Sequence, residues 1–182
     1  NADKRNRHTV QLEPKRETVG LELRTIGLGS FLMGSPPDEQ GRSRDELQHP
    51  VEISRPFAIG VSEVSQRLWE EIMGNNPAHH QRCGQRCPVE QVSWCDALIF
   101  ANRLSGQEGL EPVYQLPMGF VAELDAQACN RLSSMVSLDL TADGYRLPTE
   151  AEWEFAARDQ GQLVSERYAG SNQTVGAWYL SN

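Results

Sequence analysis

The stretch Tyr145–Arg158, read as YRLPTEAEWEFAAR, constrains the fold more than any other part of this chain. Thr149 is a typical helix N-cap, and Glu152 stands three residues later, where it completes a capping box. Apolar and small residues follow and supply bulk for a core. The pattern predicts an extended segment that leads into a well-capped helix, which begins at Thr149 and closes near Gly161.

Length and charge restrict the class of protein. The 182 residues suit one domain, or one domain with a tail, and an apolar content of 38% with a charged content of 23% permits a packed core. The net charge of -8 argues against nucleic acid as the main partner, because neutralising phosphates requires a clustered basic surface. No stretch has the roughly 18 consecutive apolar residues of a membrane-spanning helix.

Residues 1–20 differ from the rest because they are rich in basic residues and poor in apolar ones. This composition predicts a flexible arm or linker, and residues 21–182 are expected to form the domain. No signal peptide is visible, but the chain begins at Asn1 rather than Met, so the sequence leaves the compartment unknown.

Four helices and several short strands are expected, in irregular alternation with long loops. Alternation in Leu21–Ile26, a break at two glycines and a second apolar run at Ser30–Gly34 predict a hairpin. Apolar spacing and capping residues predict further helices over Ser65–Met73, Ser93–Leu104 and, within an insertion-like stretch, Asp125–Leu132. This arrangement indicates an α+β domain rather than a doubly wound parallel sheet.

The cysteines leave several possibilities open. Cys83 and Cys87 could close a small disulfide loop in an exported protein, whereas both would be free thiols in a reducing cytosol. A zinc site would need further ligands, for which His79 and His80 are the near candidates. A structural or incidental role is the preferred interpretation.

Other polar and aromatic groups favour structural interpretations. Asp45, Glu46 and His49 could form a carboxylate–imidazole pair, but a surface loop or a structural hydrogen bond explains them as well. The glutamates of the Thr149 helix gain from its dipole rather than forming a cluster. The tryptophans lie on or beside predicted elements and are interpreted as core residues: Trp69, Trp94, Trp153 and Trp178.

In order along the chain, several segments resemble the formylglycine-generating-enzyme, or sulfatase-modifying-factor, family. Ser65 replaces the threonine that is usual in one of these motifs. The matching segments are Phe31–Ser35 (FxMGS), Asp45–Glu46 with His49–Val51 (DE…HPV), Glu63–Gln66 (EVSQ), Trp69–Glu70 with Met73–Gly74 and Asn76–Pro77, Pro88–Trp94 (PVE.VSW), Tyr145–Arg158 and Ala177–Tyr179 with Asn182.

The resemblance implies an irregular, loop-rich α+β fold akin to C-type lectin-like domains. It also implies that residues 21–182 are the N-terminal part of such a domain, so that the rest of the domain, in the same or a cleaved chain, is an expected partner. The residues that match the family motifs are expected to be structural: Met33, Gly34, Glu46, His49, Glu63, Trp94, Arg146, Pro148, Thr149, Glu150, Glu152 and Trp153.

In the best-known members of this family, oxygen oxidises a substrate cysteine of a sulfatase to formylglycine, with copper held by a cysteine pair. No cysteine here stands at a matching position, so the resemblance assigns no catalytic or cofactor residue and implies copper only if a later cysteine pair exists. A calcium ion is possible, and Asn182 is a candidate ligand.

Three hypotheses about function follow from the sequence and the resemblance. The sequence favours a non-catalytic binding or regulatory module that recognises another protein. The alternative is a copper- and oxygen-dependent formylglycine-generating oxidase whose catalytic portion lies outside these residues. The third hypothesis is a domain appended to a kinase, protease or defence protein, with residues 1–20 as its linker.

Overall fold

The computed structural model describes residues 20–39 and 41–158. Four α-helices and six short strands lie in this part of the chain. The strands are β1 (Leu23–Ile26), β2 (Gly29–Met33), β3 (His49–Ile53), β4 (Phe57–Gly60), β5 (Tyr114–Gln115) and β6 (Ser137–Leu138), and the helices are α1 (Gln66–Met73), α2 (Trp94–Gln107), α3 (Ala126–Ser133) and α4 (Glu150–Ala157). The mixed helical and small-sheet architecture agrees with the predicted irregular α+β fold.

The strands form three separate two-stranded antiparallel sheets, β1–β4, β2–β3 and β5–β6. The predicted hairpin between β1 and β2 is therefore wrong. Ile26 of β1 lies opposite Phe57, and Phe31 of β2 lies opposite Val51, so each strand pairs with a later one. Alternation identifies a strand and its buried face, but it carries no information about the partner.

The helix starts follow the side chains that the sequence singled out. The Ser65 hydroxyl accepts from the amide of the third residue after it, at the start of α1. Ser93 with Asp96, and Thr149 with Glu152, form full capping boxes on α2 and α4. Each pair satisfies backbone amides that have no partner inside the helix, which is why these helices begin where the sequence predicts.

Two apolar clusters form the main parts of the core. The first joins α1 to α2 through Leu68, Trp69, Ile72, Phe100 and Leu104. The second lies between the two N-terminal sheets and α4, and consists of Ile26, Phe31, Ile53 and Phe155. Phe155 is fully buried there, and its ring packs so closely on Gly29 that a Cβ at that position would lie 2.6 Å from it.

The tryptophans do not all belong to the core, which corrects the prediction. Trp69 is 3% exposed and stacks on Phe100 with ring centroids 5.0 Å apart. Trp94 and Trp153, by contrast, are 47% and 59% exposed. Trp153 stands two residues before Phe155, about 200° around the helix, so when one faces the core the other faces outward. Trp178 lies outside the described residues.

Two disulfides join the four cysteines, Cys83 to Cys87 and Cys95 to Cys129. The second links the start of α2 to α3 and is buried, at 0% and 8% exposure. The first closes a short loop whose carbonyls accept hydrogen bonds from the start of α1. The Gln66 amide donates to the Cys87 carbonyl at 2.8 Å, and the Arg67 amide donates to the Gln85 carbonyl at 2.9 Å. Among the described residues, no helix is both long and apolar enough to cross a membrane.

Candidate functional site: a clamped loop and its cleft

The motif residues before α4 hold the start of that helix. Arg146 makes a bidentate contact with the Glu152 carboxylate, with nitrogen–oxygen distances of 2.7 and 2.6 Å. The same carboxylate accepts from the Thr149 amide at 2.8 Å. The hydrogen bonds from Arg146 lower the pKa of Glu152, and the same contact raises the pKa of Arg146. Pro148 and Glu150 lie beside this contact with exposed side chains.

A second group of motif residues joins β2 to α4. The Gly34 amide donates to Glu154 at 2.9 Å, and the Gly34 carbonyl accepts from Arg158 at 3.1 Å. Arg158 also pairs with Glu154 at 2.9 Å. Next to Gly34, the Ser35 hydroxyl donates to Glu46 at 3.0 Å. The structure therefore brings two motif segments together around the end of β2.

The remaining motif residues are not gathered into one site. Met33 is partly buried against the sheet core, and the His49 ring contacts the Leu47 carbonyl at 2.9 Å on the surface. Glu63 and Trp94 are exposed on other parts of the molecule. Asn182, the calcium candidate, lies outside the described residues.

The cysteines and histidines do not form a metal centre in residues 20–39 and 41–158, where no three potential His, Cys, Asp or Glu ligands converge. The sulfurs of Cys83 and Cys87 are bonded to each other and are neither free thiols nor available thiolate ligands. His80 contacts the Glu90 carboxylate instead, through its backbone amide at 2.7 Å and its ring at 3.3 Å. The backbone contact from His80 lowers the pKa of Glu90.

Sequence reasoning overlooked a cleft between α2 and the segment 116–122, which we call the 116–122 loop. Its volume is about 370 Å³, and Asn102 and Ala122 complete its wall. From α2 it is lined by Ile99 and Arg103, and from the loop by Leu116, Phe120 and Val121. Leu116 and Phe120 also pack against the buried residues Leu98, Ala101 and Tyr114, so the apolar wall rests on the protein core.

The 116–122 loop is fastened to α2 at both ends. Before the loop, the Asn102 side chain accepts from the Tyr114 amide at 3.2 Å and donates to the Tyr114 carbonyl at 2.7 Å. After the loop, the Glu123 amide donates to Asp96 at 2.8 Å. Glu123 has a φ of 62°, an uncommon conformation for a residue with a side chain, and this hydrogen bond helps to hold it.

Further contacts support the same loop. The Cys95–Cys129 disulfide fixes α3, the next element along the chain, against the start of α2. The Tyr114 hydroxyl accepts from the Leu147 amide at 2.8 Å, and burial raises the pKa of Tyr114. The segments on both sides of the loop are therefore held by contacts to other parts of the protein.

The tip of this loop exposes apolar side chains. Met118 is 99% exposed and Val121 is 57% exposed. Met118 lies in the turn closed by the hydrogen bond from the Phe120 amide to the Pro117 carbonyl at 3.1 Å. The signal that could have identified this feature is an apolar residue between Pro117 and Gly119, since turn tips are ordinarily polar.

Comparisons with known proteins agree with the fold. The family profile described as "Sulfatase-modifying factor enzyme 1-like domain" matches residues 10–182. A protein of Paenibacillus barcinonensis named "Chaperone protein LppX" is 37% identical over 127 residues, which is 69% of this chain and 45% of that protein. The chain thus spans less than half the length of this relative.

Solved structures show the same similarity. "Treponema denticola variable protein 1" is 30% identical with a TM-score of 0.70, and the match covers 93% of this chain and 65% of that one. A structure titled "Crystal Structure of CarF" is 28% identical with a TM-score of 0.58, and the match covers 85% of this chain and 65% of that one. With matching motifs, fold and family profile, the chain belongs to the sulfatase-modifying factor enzyme 1-like family, that of the formylglycine-generating enzymes.

Proposed function

We propose that this chain is a non-catalytic binding or regulatory module of its family and recognises a protein partner. The observation that carries the proposal is the 116–122 loop, which holds Met118 and Val121 in solvent while both of its ends are hydrogen-bonded to α2. Loops that a rigid scaffold positions are frequent binding elements.

The energetics of the loop suit recognition. An exposed methionine gains free energy when a partner removes it from water, and its flexible thioether adapts to the shape it meets. Ordering a loop on binding normally lowers affinity, but the contacts of Asn102 and Asp96 already restrain this one. The name of the Paenibacillus relative, a chaperone, is in keeping with recognition of another protein.

The cysteines of this sequence do not fit a copper centre of the kind that the best-known members of the family use. Cu(I) is held by thiolate sulfur, whereas all four cysteines of this sequence are joined in disulfides. The second candidate is a formylglycine-generating oxidase, and it is favoured by the match to a family that is named for an enzyme. Such an oxidase would need copper ligands other than these four cysteines.

An activity measurement separates the two candidates. The full-length protein is incubated with Cu(I), oxygen and a cysteine-containing sulfatase peptide, and the peptide is analysed by mass spectrometry. We expect the cysteine to remain unchanged. Copper-dependent conversion to formylglycine would overturn the binding proposal.

Site-specific photocrosslinking tests recognition directly. A photoreactive amino acid replaces Met118 in the full-length protein in its native cells, and the matched control replaces Arg131, which is also exposed but lies on α3. We expect one protein adduct of defined mass from position 118 and none from position 131. Equal adducts from both positions, or no adduct from position 118, would contradict recognition by the loop.

A further inference from the structure

Resting on the proposed function, we infer that the cleft between α2 and the 116–122 loop takes a partner segment in which an apolar side chain stands next to a carboxylate. The cleft is lined by apolar side chains together with one arginine, Arg103, and this pairing gives the inference its chemistry. The partner class is therefore a protein segment of the type leucine–aspartate, rather than a purely apolar or a basic one.

The apolar half of the site is the wall formed by Ile99, Leu116 and Phe120, with Val121 at its rim. Its volume of about 370 Å³ is within the range of about 300–1,000 Å³ that is usual for small binding sites. Burial of a leucine-sized side chain on this wall would remove apolar surface from water on both molecules. The polar side chains in the lining are those of Asn102 and Arg103.

Arg103 is the charged half of the site. Its Nη1 atom lies 3.4 Å from the Met73 carbonyl oxygen and 3.7 Å from the Met73 sulfur, both longer than a strong charge-assisted hydrogen bond. None of the ion pairs within the described residues includes Arg103. A guanidinium has five N–H donors in a planar fork, and a carboxylate can accept two of them at once.

The two carboxylates near the end of the 116–122 loop, those of Asp96 and Glu123, accept hydrogen bonds from uncharged donors. Asp96 accepts from the Glu123 amide at 2.8 Å and from the Ser93 hydroxyl at 2.6 Å. The Glu123 carboxylate accepts from the Asn75 side-chain amide at 2.6 Å. The hydrogen bonds given for both carboxylates go to donors other than Arg103, so an incoming carboxylate would be the first acidic partner of Arg103 among residues 20–39 and 41–158.

Two isosteric peptides test the inference. Acetyl-Leu-Leu-Asp-amide and acetyl-Leu-Leu-Asn-amide are titrated into the 15N-labelled full chain, and binding is followed through the backbone amides of Ile99, Arg103 and Phe120. We expect the aspartate peptide to bind about threefold more tightly or better, as for a solvent-accessible ion pair. The preference should disappear in Arg103→Gln and persist in Arg131→Gln, the matched arginine on α3, and the dispersion of the spectra verifies that both variants are folded.

Each other result overturns the inference. Equal affinities of wild-type protein for the two peptides would remove the role of Arg103. Shifts confined to another surface would place binding elsewhere, and they would leave the proposed binding function intact. No shift in the cleft at peptide concentrations that saturate a millimolar site would exclude this partner class. The proposed function itself is tested separately, by the copper-dependent turnover and the crosslinking at position 118 described above.

Discussion

Glu152 serves three donors at once at the start of α4: two nitrogens of Arg146 and the Thr149 amide. A carboxylate that accepts several hydrogen bonds favours its ionised form, which explains why its pKa is lowered. Ionised Glu152 therefore stabilises the folded state above the pKa that the carboxyl has in the unfolded chain. This contribution is lost as the pH falls through the lower folded-state pKa.

The first prediction concerns the pH dependence of Glu152→Gln. The variant should lose about 1–2 kcal/mol of unfolding free energy at neutral pH, because one charge-assisted contact with Arg146 is removed. The difference from wild type should shrink as the pH falls through the lowered folded-state pKa of Glu152, where the carboxyl becomes protonated. Urea titrations across this range measure it, with Glu150→Gln as the control in the same helical turn. A difference that does not change with pH would contradict the role assigned to Glu152.

The second prediction concerns Gly144, where the chain passes close to α2. A Cβ at this position would clash with the Glu111 carbonyl oxygen and lie 2.6 Å from the Ser105 hydroxyl, which accepts from the Tyr145 amide at 2.8 Å. Gly144→Ala should therefore lower the unfolding free energy by about 1–3 kcal/mol, measured by chemical denaturation.

Gly106 provides a control, because its substitution by alanine should change the unfolding free energy in the opposite direction. It lies in α2, and a Cβ built there meets no heavy atom within 4 Å. Gly106→Ala should raise the unfolding free energy by up to about 1 kcal/mol, since alanine loses less backbone freedom on folding. Destabilisation by both substitutions would show that the crowding at Gly144 is not the cause.

At the scale of elements, the two disulfides stabilise different parts of the structure. Cys95–Cys129 spans 34 residues and joins α2 to α3, which borders the 116–122 loop. Cys83–Cys87 spans 4 residues, and its loop carbonyls accept from the first amides of α1. One disulfide thus fixes two elements that are distant in the chain, while the other shapes a cap for one helix.

The third prediction compares the two disulfides. From loop length alone, Cys95→Ala with Cys129→Ala should cost about 4 kcal/mol, and Cys83→Ala with Cys87→Ala about 2 kcal/mol. Only the first pair should speed hydrogen exchange of the loop amides, such as that of Phe120, under native conditions. Exchange that speeds equally in both double variants would show that the disulfide to α3 does not hold the loop.

At the scale of the whole molecule, α4 connects parts that are far apart in sequence. Phe155 packs with Ile26, Phe31 and Ile53 from three different strands, and Glu154 with Arg158 binds the backbone at Gly34. Sheets of two strands are marginal by themselves and need a partner surface. The helix supplies that surface, so the N-terminal sheets and α4 should unfold together.

The fourth prediction tests this dependence. Phe155→Ala should cost about 3–5 kcal/mol, because a fully buried ring leaves a cavity between the sheets and the helix. Trp153→Ala, on the outward side of the same helix, should cost less than about 1 kcal/mol. Thermal unfolding measures both, and hydrogen exchange of β2 and β3 should increase only in the first variant. A Trp153→Ala cost as large as that of Phe155→Ala would mean that another surface covers Trp153.

Much of this arrangement could be predicted because its causes are local. The helix starts at Ser65, Ser93 and Thr149 depend on side chains that satisfy amides two or three residues away, so they can be read directly from the chain. The family motifs, in their order along the chain, likewise indicate the fold. The partners of β1 and β2 could not be predicted, since their strands are completed by segments many residues later.

The sequence by itself determined the helix starts, the turn residues and the family, because each depends on neighbouring residues or on an ordered series of motifs. The tertiary structure alone decided which strands pair, that Cys95 meets Cys129, and that Arg103 lines the same cleft as Leu116 and Phe120. These contacts join residues whose separation along the chain is large. The free energy of these contacts depends on the packing of the whole domain, so patterns among neighbouring residues in the sequence do not predict them.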